Sequence, residues 1–229
     1  MQDRSPQEPA AQAQPQAFAD ARVLTLFPTC VWVHDLKPQD MEAINEAILP
    51  KIEALLEPRA ETIKAGIWQT NHDLHRLEEF RRLVAIMRRA SEAALDFLKI
   101  GRREIAITGC WANVNPPGTG HRPHTHPNNL LSGVYYARAP HQGDGLVLHD
   151  PRPQAHVLSP KVTQLSEVTG SEIKLDARPG RLVIFPAWLE HSVAPTVGPG
   201  ERVSISFNLM LGHYAEEFSP PRWARRPST

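Results

Sequence analysis

The sequence predicts a mostly β domain, a barrel or jelly roll backed by two helices, and three observations predict it. From Glu104 onward apolar residues recur with period two in short runs. Clusters of glycine and proline (PPGTG, APHQGDG, RPG, GPG) separate those runs. Two helical stripes precede them, and many short strands behind a pair of helices suit a sheet-built core with helical backing. At 229 residues, 41% apolar and 22% charged, the chain has room for one sizeable core.

Taken in order, residues 1–22 are rich in Gln, Pro and Ala and carry no basic start followed by an apolar run. They read as a disordered tail rather than a secretory signal. The domain is expected over 23–215, with helical support at 36–100 and a barrel at 104–212. VLTLFPTCVWVHDL reads as one or two strands broken at Pro28. Met41, Ile44, Ile48, Ile52 and Leu55 then form one helical stripe, with a kink expected at Pro50 and a start marked by Asp35 and Pro38. A second helix is expected over roughly 77–100, with Leu77, Phe80, Val84, Met87, Leu95 and Leu98 on one face. Arg81, Arg82, Arg88 and Arg89 lie largely off that face and read as solvated. The strand-like runs that follow are EIAITGCWANVNPPG, LLSGVYYARA, GLVLHD, SEIKLDARPG, RLVIFPAW, HSVAP and RVSISFNLML. Residues 151–171 lack periodicity and read as a long loop of the kind that covers sites. The Pro-rich, basic segment at 216–229 reads as a solvated tail.

Charge and cysteine usage narrow the function classes. Twenty-five basic and 25 acidic residues give zero formal net charge, so no global field argues for nucleic acid or an anionic membrane. No stretch of about 18 apolar residues offers a membrane span. Cys30 and Cys110 form neither a disulfide framework nor a zinc knuckle, and a reducing cytoplasm is expected. Two amphipathic helices could support a homodimer.

The chemistry concentrates in the 11 histidines. His124 and His126 stand two apart, so on an extended chain both rings face one side. His191 follows 65 residues later, after the turn and buried run PGRLVIFPAW. Two neighbouring ligands plus one from a distant strand is how a barrel holds a metal while leaving coordination positions open. His121, His141, His149, His156 and His213 read as polar surface instead. In RVSISFN, alternation places Arg202, Ser204, Ser206 and Asn208 on one face and Val203, Ile205, Phe207 and Leu209 on the other. The polar set is expected to line the barrel interior. An arginine there is costly unless an anion meets it, and its planar fork suits a carboxylate.

These residues resemble the 2-oxoglutarate/Fe(II)-dependent oxygenase superfamily, in particular its bacterial and phage branch. The motifs are HTHP, LSGVYY, DPR, GRLVIFPAWLEHSV and ERVSISFN, over roughly Trp111 to Leu211, with WQTNHDLH at 68–75 also similar. The resemblance implies a double-stranded β-helix, the cupin-like jelly roll, with Fe(II) as cofactor and 2-oxoglutarate as co-substrate. It maps His124 onto the first iron-binding histidine and His191 onto the distal one. Arg202 maps onto the residue that pairs with the far carboxylate of 2-oxoglutarate, with Ser204 completing an Arg-x-Ser pair. Tyr136 maps onto a tyrosine that contacts the same carboxylate, and Asn113 is expected to face the co-substrate. His126 stands where the superfamily usually has a carboxylate. Either His126 ligates, or Asp150 substitutes, or two protein ligands suffice. A third neutral ligand leaves the metal one charge more positive.

The expected activity is therefore oxidation of a small molecule or a side chain, with dioxygen and 2-oxoglutarate consumed. The alternatives are a cupin-like metal dioxygenase that does not use 2-oxoglutarate, and a non-catalytic metal- or ligand-binding jelly roll. Trp111, Tyr135 and Trp188 could dry such a site or belong to the core, and Trp188 is read as core.

Overall fold

The computed structural model describes residues 19–212 apart from 57–65, 102–103, 141–142, 144, 159 and 197. Most of the expected N-terminal tail, the whole C-terminal tail, His141 and His213 lie outside the described residues. Among these residues the chain forms ten strands and two α-helices. The strands are β1 (Trp32–Asp35), β2 (Trp68–Gln69), β3 (Ile105–Asn115), β4 (His121–His124), β5 (Leu131–Arg138), β6 (Leu146–His149), β7 (Glu172–Lys174), β8 (Arg181–Pro186), β9 (His191–Val193) and β10 (Arg202–Leu211). Helix α1 spans Pro38–Leu55 and α2 spans Arg81–Phe97.

The strands lie in two antiparallel sheets, ordered β1-β8-β5-β10-β3-β2 and β4-β9-β6-β7. From β3 onward the chain passes back and forth between them, which makes the eight strands β3–β10 a double-stranded β-helix. The central strands β3, β5 and β10 are buried along almost their whole length. Both of their faces are therefore covered, and two apolar clusters do the covering. Val203, Ile205, Phe207 and Leu209 of β10 pack outward with Ile44, Ile48 and Ile52 of α1 and Leu83, Met87 and Leu95 of α2. Between the sheets, Val134, Tyr136, Val183 and Phe185 meet Leu146, Leu148 and Leu189.

The helix stripes explain this docking. Ile44, Ile48 and Ile52 recur every fourth residue and are the buried residues of α1. Pro50 lies on the exposed side, and α1 is helical on both sides of it. Asn45 fastens α1 to β5: its Nδ2 donates to the Ala137 carbonyl at 2.9 Å, and its Oδ1 accepts from the Tyr135 hydroxyl at 2.9 Å. Tyr135 thus belongs to the helix-side core and not to a wall between the sheets.

Several sequence expectations change. Val23, Leu24, Leu26 and Phe27 are exposed and form no strand, because the first pairing partner, Arg181 to Ile184 of β8, is taken by Trp32 to Asp35. Asp35 does not cap α1; its carboxylate receives Arg181 Nε and Nη2, both at 2.7 Å. A 3-10 turn, Glu78–Phe80, occupies the expected beginning of the second helix, and another, Leu74–Arg76, precedes it. Leu55 and Leu98, at the helix ends, are exposed. Trp188 is 59% exposed and is not core. The 151–171 segment is a loop with one 3-10 turn and exposed apolar side chains at Val157, Leu158, Leu165 and Val168.

Gly133 on β5 lies under the Phe207 ring, and a Cβ there would collide with that ring and come within 2.9 Å of the Val183 carbonyl. We expect Gly133→Ala to lower unfolding free energy by about 1–3 kcal/mol. A urea midpoint equal to wild type would show that the ring moves aside freely.

Candidate metal centre

Strands β4 and β9 build the centre. They pair antiparallel with His124 directly opposite His191, and the register shifts between His121 and His124. Beyond His124 the chain leaves the strand, and the His126 N–H donates to the Ala187 carbonyl at 2.9 Å, holding that turn against the end of β8. Three imidazoles converge as a result. Ring centroids lie 4.4 Å apart for His124 and His191, and 5.1 Å for His126 with each of the other two. One nitrogen from each ring lies within 4.8 Å of the others, a separation at which one ion can be held.

The hydrogen bonds of two rings select the ligating nitrogen. His124 Nδ1 lies 2.7 Å from the Arg122 carbonyl, and His191 Nδ1 lies 2.8 Å from the Leu189 carbonyl. A carbonyl only accepts, so each Nδ1 carries the proton and each Nε2 keeps its lone pair. Burial pushes the pKa of His191 down to about 4, despite the Leu189 carbonyl acting the other way. Burial, then the charge of His124, takes His126 down to about 4 as well. Neutral imidazoles at neutral pH are the ligand form. Phe185 packs edge-on against His191 at 4.6 Å between centroids and covers its flank.

The inner face of the larger sheet forms the floor. Its register lays polar residues in rows: Gln69, Asn113, Ser204 and Tyr136 stand side by side across β2, β3, β10 and β5. Gln69 Nε2 donates to Asn113 Oδ1 at 2.8 Å, and Asn113 Nδ2 donates to Ser206 Oγ at 3.1 Å. One row further, Arg202 faces Asn115 and is 1% exposed. Burial raises the Tyr136 hydroxyl to about 12, while the Arg202 charge pulls the other way, so the phenol stays a donor at neutral pH. Arg202, Tyr136, Ser204, Asn113 and the three histidines all line one pocket with about 590 Å³ of empty space including its open mouth.

Some sequence readings are corrected here. His121 is not surface: it lines the pocket, and burial followed by the nearby Arg202 charge lowers its pKa to about 4. Asp150 receives Arg152 on both carboxylate oxygens, at 2.9 and 2.8 Å, and stands outside the cluster of three histidines that could hold an ion. Trp111 lines the pocket and stacks on His72 at 4.4 Å, whereas Tyr135 and Trp188 do not line it. Among its described residues the 151–171 loop contributes none to the lining of this pocket. Gln69, Phe185 and Phe207 were not singled out by sequence; Gln69 lies inside the WQTNHDLH motif, but nothing local in the chain marks it as facing β3.

Residues 109–208, from β3 to near the end of β10, match the family described as "Putative 2OG-Fe(II) oxygenase". Over that stretch the chain is similar to the 2OG-Fe(II) oxygenases. Solved structures share its fold. A prolyl-4-hydroxylase from Pseudomonas putida superposes with a TM-score of 0.55 at 20% identity, over 80% of this chain and 93% of that one. HygX from Streptomyces hygroscopicus, with nickel and 2-oxoglutarate bound, gives 0.56 at 11% identity, over 80% and 83%. The α-ketoglutarate-dependent epimerase SnoN from nogalamycin biosynthesis gives 0.56 at 13%, over 80% and 78%. No curated protein sequence matches the chain. Among the described residues, no helix is long and apolar enough to cross a membrane.

The lowered pKa values of His121, His126 and His191 make a stability prediction. In the unfolded chain each takes a proton near pH 6.5, while in the fold each resists until about 4. The unfolded state therefore binds more protons across that window, and folding stability falls as pH falls through it. The metal-free protein should hold its Tm above pH 7 and lose it progressively from pH 6.5 to 5, before carboxylates titrate. A Tm that does not change between pH 7 and 5 would contradict neutral, buried rings.

Proposed function

We propose that the protein is an Fe(II)- and 2-oxoglutarate-dependent oxygenase acting on a small molecule or a side chain, with His124, His126 and His191 as the iron ligands. One observation carries the reading: the three imidazoles, close enough for one ion, share a pocket with a buried arginine. The donor set fits Fe(II), which imidazole nitrogen suits, and a facial triad leaves positions for a co-substrate and dioxygen. Bound iron would supply dioxygen activation coupled to oxidative decarboxylation of 2-oxoglutarate to succinate and carbon dioxide.

The chain's own residues then bind, orient and keep water out. In this reading Arg202 receives the far carboxylate of 2-oxoglutarate through its planar fork. The Tyr136 phenol and Ser204 hydroxyl, neighbours in one row, donate to the same group, and Asn113 sits beside them. Asn113 is itself held by Gln69 and Ser206, which orients its amide. Phe185, Val134 and Leu146 make the apolar side of the pocket and exclude water. The third neutral ligand favours one further reading, a metal dioxygenase that needs no 2-oxoglutarate; oxygen uptake without added 2-oxoglutarate would select it.

Zero net charge and the free Cys30 and Cys110 support a cytoplasmic protein that does not act on nucleic acid. Both helices turn apolar residues to the sheet, while Leu55, Phe97 and Leu98 near their ends stay exposed and would be available to a homodimer contact.

Two variants test the assignment. His191→Ala should abolish Fe(II) and Ni(II) binding, read by metal analysis and titration calorimetry. Arg202→Ala should keep the metal and cost at least about 2 kcal/mol, roughly thirtyfold, in 2-oxoglutarate affinity. If both variants convert 2-oxoglutarate to succinate at the wild-type rate, the assignment is wrong.

A further inference from the structure

Two of the three metal-site histidines are oriented by the backbone, and the third is not. His124 and His191 each turn Nδ1 toward a carbonyl two residues earlier. His126 has no such carbonyl: its Nδ1 faces the side-chain amide of Asn208, with Nδ2 at 3.5 Å. The other end of that amide is anchored, because Asn208 Oδ1 accepts from Ser132 Oγ at 2.7 Å. Ser132 and Asn208 are direct partners across β5 and β10, so the sheet register fixes the amide beside the ring.

The direction of this amide matters to the metal. With Nδ2 toward the ring, His126 Nδ1 must be the acceptor, and its proton then sits on Nε2, the nitrogen that the other two rings leave free for an ion. A neutral ring cannot ligate through a protonated nitrogen. The two ends of an amide have the same shape and can exchange by a half turn. Reversed, Oδ1 accepts from His126 Nδ1–H, and Nδ2 donates to Ser132 Oγ, whose hydroxyl can be donor or acceptor. Every hydrogen bond is retained, and the Nε2 lone pair is released.

We propose that Asn208 is the positioning residue for the third ligand: metal loading selects the reversed amide, anchored on Ser132, which holds His126 in its Nδ1–H tautomer. Asn208 does for His126 what backbone carbonyls do for His124 and His191. Because a side chain does it, this is the one imidazole of the three whose orientation a single substitution can release. The proposal rests on the reading of His126 as a ligand, and the controls separate the two.

The experiment measures Ni(II) affinity by calorimetry and the Co(II) d–d spectrum for wild type, Asn208→Leu, Asn208→Asp, Ser132→Ala and His126→Ala. Losing an outer partner of a metal-bound histidine typically costs ten- to hundredfold in affinity. Asn208→Leu should lose that much and alter the Co(II) spectrum, whereas Asn208→Asp, which can only accept, should bind at least as tightly as wild type. Ser132→Ala should lose less than Asn208→Leu. In the Zn(II)-loaded wild type, nitrogen-15 NMR should show His126 protonated at Nδ1. The Asp rescue and the tautomer are readouts that a packing role for Asn208 would not move, and they stand even if the Leu variant folds poorly. Asn208→Leu affinity within twofold of wild type while His126→Ala weakens binding would overturn the proposal and leave the ligand assignment intact. A His126→Ala variant that binds as wild type would overturn both.

Discussion

His124 and His191 are cross-strand partners in the antiparallel β4–β9 pair, and the metal centre depends on that register. A one-residue slip would turn a ring to the opposite face and separate the ligands. Strand β9 is only three residues long, but it is held from both sides, since Leu148 of β6 pairs with His191 on its other edge. The irregularity between His121 and His124 has a consequence of its own. Residues three apart on a regular strand face opposite ways, yet both of these rings line the pocket.

The larger sheet is arranged around β10, which lies between β3 and β5 and is buried by the helices on one face and the second sheet on the other. Its alternation sorts chemistry to one side. Val203, Ile205, Phe207 and Leu209 belong to the helix-side core, and Arg202, Ser204, Ser206 and Asn208 occupy the inner face. Burying so many polar groups is costly unless they are paired. The rows pair Ser206 with Asn113 and Asn208 with Ser132. The same bonds that satisfy these groups also fix their directions, which a binding site requires.

Among the described residues that line the pocket there is no carboxylate, burial lowers the pKa of His121, His126 and His191, and Arg202 is present. A divalent ion would add to this positive potential rather than find it neutralised by a protein ligand. A dicarboxylate co-substrate would complement a divalent ion and the Arg202 guanidinium in such a pocket.

Residue pattern alone determined the strand runs after Glu104, the isoleucine stripe of α1, the polar and apolar faces of β10 and the three histidines, because period and spacing are local properties of a chain. It did not reveal that Val23 to Phe27 lack a partner strand, that Trp188 faces solvent or that His121 faces the pocket. Burial depends on what a neighbouring strand or helix covers, and sequence neighbours do not encode that. Tertiary structure likewise paired Asp150 with Arg152, and brought Asn208 and Ser132 to His126. Those contacts join residues 76 and 82 positions apart, and only sheet register sets which side chains meet at that range.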